Sequence, residues 1–233
     1  MKIIASVIVL IGLAISEIIF RWNQTYGFVV YAVLLGIILI SMEKDNYVNK
    51  SDILLIFLMI VPIARLAELF IPFNSLWKIF IFYSILAFLG IFYANKFNIL
   101  SGAKGKEIEI GDLSYPVFAI IIGITLSLCA KFIFNMENNW IIFLIVLIAY
   151  AEETLFRGEI QNLATEKYGF VYSILFTSIL YAIFSISYGF PILLLAFIAS
   201  LILCLIYYFT KNIYLTFLWN VIFHSAFFGF YLI

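Results

Sequence analysis

Two adjacent carboxylates and an arginine, Glu152, Glu153 and Arg157, close an apolar run that extends from Trp140 to Tyr150. An ionisable side chain placed near a bilayer centre costs about 2.5 to 3.5 kcal/mol on insertion scales, so charge carried in such a run is a functional hypothesis by default. On an α-helix Glu153 and Arg157 stand one turn apart on one face and can form a bidentate pair. Glu152 is rotated about 100° away and faces a different neighbour. One carboxylate is thus neutralised and the other left free. A free carboxylate in a low-dielectric setting holds a proton more readily and can take one from water, which is what a general base must do. The competing reading places these charges at the lipid headgroups, with Arg157 snorkelling and Glu159 and Glu166 in water.

The only histidine, His224, falls about midway along the last apolar stretch and needs a polar partner there. One histidine and two adjacent glutamates, one of them paired with Arg157, fall short of the three protein ligands usual for catalytic zinc, so no metal and no other cofactor is expected. Cys129 and Cys204 lie in apolar runs without metal-ligand spacing and read as small core residues. Ser185 with His224 could form a nucleophile and base, but no acid orients that pair.

Glu-Glu-x-x-x-Arg in an apolar helix resembles the first motif of the CAAX-protease and bacteriocin-processing family of intramembrane glutamate-type endopeptidases, which includes the type II CAAX prenyl proteases. Two further family motifs, Phe-x-x-x-His and His-x-x-x-Asn, have counterparts in Tyr181 to Ser185 and in His224 to Phe228. Serine stands in the place of the second-motif histidine, and phenylalanine in the place of the third-motif asparagine. The resemblance covers about residues 139 to 230. It implies that Glu152 activates a water, that Glu153 and Arg157 support it, and that His224 donates to the developing oxyanion. It leaves two roles vacant, because Ser185 cannot share a proton as an imidazole does and Phe228 has no donor. Asn220, four residues before His224 on the same face, could supply an amide, or it could simply bond between helices; Tyr181, Ser185 or Ser187 could position water.

The elements that must hold these residues follow from composition. At 66% hydrophobic and 11% charged, the 233-residue chain departs far from the soluble norm of about 25% charged residues, which makes it a polytopic membrane protein. Apolar segments fall at 3-20, 26-41, 53-72, 76-94, 115-134, 139-163, 169-188, 190-209 and 212-232. The expected fold is all-α, a transmembrane helix bundle of about eight or nine spans, with 1-134 as N-terminal helices and 135-233 as the helices carrying the motifs, in one membrane domain. The first segment begins with Lys2 and has a signal-like Ala14-Ile15-Ser16, yet it continues apolar through Phe20 and is read as a retained helix. Glu17 and Arg21 are read as a pair at its edge.

With nine spans, Lys2, Lys44, Lys50, Lys96, Lys104, Lys106, Lys167 and Lys211 fall on one side, against Arg21, Lys78 and Lys131 on the other. The positive-inside bias then puts the N-terminus in the cytoplasm of a cell-membrane protein. In the third segment, Arg65 and Glu68 can pair beside Pro62, and we read them with Asn220, Tyr181 and Phe228 as residues of a substrate cavity.

Zero net charge and dispersed basic residues exclude a nucleic-acid partner. The partners expected are membrane lipids and a peptide or protein, plain or lipid-modified. Three functions follow: an intramembrane endopeptidase, a degenerate relative that binds a peptide or lipidated tail without cutting it, as an immunity or assembly factor, and a transporter, for which no internal repeat is evident.

Overall fold

A computed structural model describes residues 2–43, 50–68, 75–97, 121, 140–186 and 190–232. Every regular element among them is helical: α1 (Lys2–Trp22), α2 (Gln24–Glu43), α3 (Lys50–Ala67), α4 (Ser75–Phe97), α5 (Trp140–Glu152), a π-helical segment (Glu153–Gln161), α6 (Asn162–Tyr168), α7 (Phe170–Phe184), α8 (Phe190–Thr210) and α9 (Ile213–Leu232). The apolar stretch 115–134, Ile121 excepted, and with it Cys129 lie outside the described residues.

The bundle holds a set of polar residues within an apolar core and is apolar outside as well. Ser16, Glu17, Glu152, Glu153, Arg157 and Asn220 are buried, while Ile8, Ile11, Ile15 and Ile18 of α1 and Leu194, Leu195, Ile198 and Ile202 of α8 are exposed. Large exposed apolar faces need a non-aqueous cover, and polar groups kept from that cover must satisfy one another. By length and composition, Pro191–Thr210 of α8 is the one described stretch able to cross a membrane; Gln24–Ile40, Ile53–Ala67, Phe80–Tyr93, Phe170–Phe184 and Ile213–Ser225 are shorter apolar helices. The eight or nine spans expected from the sequence are therefore not reproduced as a set of full-length apolar helices among the described residues.

Short connections have identifiable causes. Asn23 separates α1 from α2, and its Oδ1 accepts from the Tyr26 N–H at 3.3 Å. Gly169, at φ 86°, ends α6 and opens α7 in a conformation open to residues without Cβ. Asn212 caps α9, accepting from the N–H groups of Tyr214 (3.0 Å) and Leu215 (3.2 Å). Between α1 and α2 the backbones approach so closely that a Cβ on Gly27 would collide with the Phe20 backbone.

The expected single α-helix over 139–163 is the largest departure in the fold. It starts at Trp140, widens into nine residues of π-helix at Glu153 and returns to α-helix until Tyr168. π-Helical turns are rare and frequent at functional sites, because the shift to i→i+5 bonding strands carbonyls at each junction. Three side chains bond carbonyls one turn back around this segment: Thr154 Oγ1 donates to Tyr150 O (2.8 Å), Asn162 Nδ2 to Gly158 O (2.7 Å) and Thr165 Oγ1 to Gln161 O (2.7 Å).

Candidate active site

The π-helical segment buries all nine of its residues, including Glu153, Arg157 and Glu159. The headgroup reading of these charges is therefore corrected: Arg157 does not snorkel and Glu159 is not in water, whereas Glu166 is exposed. Arg157 Nη1 lies 2.9 Å from Glu153 Oε1, its Nη2 donates to Ser200 Oγ of α8 at 3.0 Å, and its guanidinium packs over the Tyr181 ring at 4.8 Å. One carboxylate is thus neutralised inside the bundle, where an aromatic face and a hydroxyl also contact the cation, while Arg157 Nε and Nη1 make no hydrogen bond among the described residues.

Glu152, the last residue of α5, points the other way. Its Oε2 is 2.7 Å from His224 Nε2 and accepts from Tyr181 OH at 2.8 Å and Asn220 Nδ2 at 3.1 Å. Its Oε1 accepts from Tyr83 OH of α4 at 3.2 Å. At 2.7 Å a carboxylate and an imidazole nitrogen share one proton, whichever of the two formally holds it.

Glu152, His224, Tyr181, Tyr83 and Ser185 are the polar residues lining one open cleft, with roughly 460 Å³ of empty space including its mouth; Ile148, Phe184 and Phe223 are among its apolar walls. Ser185 reaches it because α7 stops at Phe184, and the Ser185 N–H closes that end by donating to Ala182 O at 2.9 Å. Tyr181 is oriented by edge contact with Phe156, which packs on Phe184 as well.

Three residues named from the sequence lie elsewhere. Asn220 is fully buried behind the cleft, where its Nδ2 reaches Glu153 Oε1 at 2.9 Å as well as Glu152. Arg65 and Glu68 sit apart from the cleft's lining in a second cluster, where Arg65 Nη1 lies 2.8 Å from Glu68 Oε1 and Nε 3.0 Å from Glu17 Oε1. The side chain of Phe228 and the whole of Ser187 lie outside the described residues. The proposed Glu17–Arg21 pair is overturned: Glu17 turns inward to Arg65, while the exposed Arg21 donates to Ile186 O at 3.2 Å. Arg65 also lies over the rings of Phe20 (5.2 Å) and Phe82 (4.4 Å), a desolvated setting in which one cation serves two carboxylates.

Sequence reasoning missed Tyr83 and Ser200. Tyr83 is one of fifteen tyrosines, and nothing in its spacing separates it from Tyr93 on the same helix; Ser200 shows only as a polar residue in an otherwise apolar run. Cys204 is buried as expected, with its Sγ 3.7 Å from Ser178 Oγ and its carbonyl accepting from Gln161 Nε2 at 2.8 Å.

An all-helical bundle with an apolar exterior, whose buried carboxylate and half-buried imidazole open onto a cleft, has the features of a membrane-embedded hydrolase. The family model described as type II CAAX prenyl endopeptidase Rce1-like matches residues 134–229, a stretch that includes Glu152, Glu153, Arg157, Tyr181, Ser185, Asn220 and His224. Over those residues, fewer than half of the chain, the protein is similar to the type II CAAX prenyl endopeptidases. No curated protein and no solved structure matches it.

Proposed function

We propose that this protein is an intramembrane endopeptidase that hydrolyses a peptide bond with a water activated by Glu152. The carrying observation is the Glu152–His224 contact of 2.7 Å at the wall of an open, largely apolar cleft. The resemblance left the proton-sharing role vacant at Ser185 and gave His224 to the oxyanion; the contact supports His224 as the group that shares the proton of Glu152. In the reaction the water oxygen adds to the carbonyl carbon while Glu152 takes a water proton. The same proton then passes to the leaving nitrogen as the carbon–nitrogen bond breaks. Glu153 stays out of the chemistry because Arg157 neutralises it. The substrate we propose is a peptide, plain or lipid-modified, presented from a cell membrane in which the N-terminus is cytoplasmic.

One observation favours the non-cleaving reading. Two donors and the His224 imidazole already engage Glu152 Oε2, as in a carboxylate kept for structure. Cleavage of a farnesylated CAAX peptide in proteoliposomes, lost on Glu152→Gln, decides between enzyme and binder.

A further inference from the structure

The two oxygens of Glu152 are unequally occupied, and the difference assigns work to a residue on α4. A carboxylate oxygen offers about two lone-pair sites, so two donors, the Tyr181 hydroxyl at 2.8 Å and the Asn220 amide at 3.1 Å, together with His224 Nε2 at 2.7 Å, saturate Oε2. Oε1 takes one donor among the described residues, the Tyr83 hydroxyl at 3.2 Å, longer than the usual 2.5 to 3.0 Å of an O–H···O bond. Among the described residues a lone pair on Oε1 is therefore open, and Oε1 is the oxygen at which a water can give its proton to Glu152. The Tyr83 hydroxyl lines the cleft beside that same oxygen.

The other groups bound to Glu152 are held away from the open side of Oε1. The Asn220 amide bridges Glu152 and Glu153 and does not line the cleft, and the Tyr181 hydroxyl is bound at 2.8 Å to the saturated oxygen. His224 Nε2 is committed to Glu152.

Resting on the endopeptidase reading above, we propose that Tyr83 is a catalytic residue: as water adds to the substrate carbonyl, the Tyr83 hydroxyl leaves Glu152 Oε1 and donates to the oxyanion that forms. The carbonyl π pair becomes the negative charge on oxygen, the water proton goes to Oε1, and Tyr83 keeps its own proton throughout. Tyr83 lies on α4, outside the stretch matched by the family model.

The test uses the full chain in proteoliposomes with a farnesylated CAAX peptide carrying a fluorophore and quencher. Tyr83→Phe removes only the hydroxyl and should lower kcat roughly 100- to 1,000-fold, the size of one lost oxyanion donor, with KM unchanged. A residue that merely supports the fold would change KM or the melting midpoint instead. Should Tyr83→Phe fail to fold, 3-fluorotyrosine at position 83 keeps the ring and the donor; it should retain the rate and move the alkaline limb of kcat to lower pH, and an unmoved limb overturns the role. Parent-like kcat in Tyr83→Phe beside an inactive Glu152→Gln overturns the role of Tyr83 alone. A Glu152→Gln that cuts like the parent, or a parent that leaves this peptide intact, overturns the endopeptidase reading and the role of Tyr83 with it.

Discussion

The Asn220 side-chain amide stands between two carboxylates, 3.1 Å from Glu152 Oε2 and 2.9 Å from Glu153 Oε1. Neighbouring glutamates in sequence are thereby held to different partners, one toward His224 and the cleft and the other toward Arg157 and the interior. Asn220→Leu preserves bulk but leaves both oxygens short of a buried donor, a loss of about 1 to 3 kcal/mol. We expect a lower melting midpoint in detergent together with impaired cleavage; a parent-like midpoint would show that the amide does not bridge them.

Arg157 is fully buried and pairs with an equally buried Glu153, so removing one partner strands the other. Arg157→Ala should cost about 3 to 5 kcal/mol, whereas the double change Glu153→Gln with Arg157→Met should recover part of that loss. Thermal unfolding in detergent measures both. An Arg157→Ala protein that accumulates and melts like the parent would place the pair in solvent.

The cluster around Arg65 gives a contrast between two arginines. Arg65 holds Glu17 and Glu68 at 3.0 and 2.8 Å, while Arg21 is exposed and bonds one carbonyl. Arg65→Leu should therefore destabilise by about 3 to 5 kcal/mol and Arg21→Ala by no more than about 0.5 kcal/mol. Equal losses would restore the pairing of Glu17 with Arg21.

Gly27 and Gly36 lie on the same helix, yet only Gly27 meets a neighbouring backbone, at Phe20; nothing lies within 4 Å of a Cβ at Gly36. Gly27→Ala should cost about 1 to 3 kcal/mol through separation of α1 from α2. Gly36→Ala should be neutral or stabilising by up to about 1 kcal/mol, since alanine is the better helix former. Melting of the two variants side by side checks the crossing.

The helical class and the pairing of Glu153 with Arg157 were legible because apolar run length and a four-residue spacing are local signals. The convergence of Glu152, Ser185 and His224 on one cleft was legible only through the resemblance, since three segments far apart in sequence supply them. The π-helical widening at Glu153 was not: nothing in Glu-Thr-Leu-Phe-Arg-Gly-Glu-Ile-Gln announces it, and the carbonyl bonds that Thr154, Asn162 and Thr165 make around it exist only in the folded chain. The inward turn of Glu17 was misread for a related reason. Four-residue spacing names Arg21 as a partner, but burying two carboxylates against one arginine over aromatic rings requires α3 and α4 in place. Tyr83 escaped because its meaning is a distance to Glu152, sixty-nine residues away.

Everything proposed for the chemistry depends on a proton moving to Glu152. Glu152→Gln keeps the length and much of the hydrogen bonding to Tyr83 and Tyr181 but abolishes the base. In proteoliposomes with a farnesylated CAAX peptide, kcat should fall at least 100-fold, the lower bound for a general base, while peptide binding persists. A Glu152→Gln protein that cleaves at the parent's rate would contradict the account.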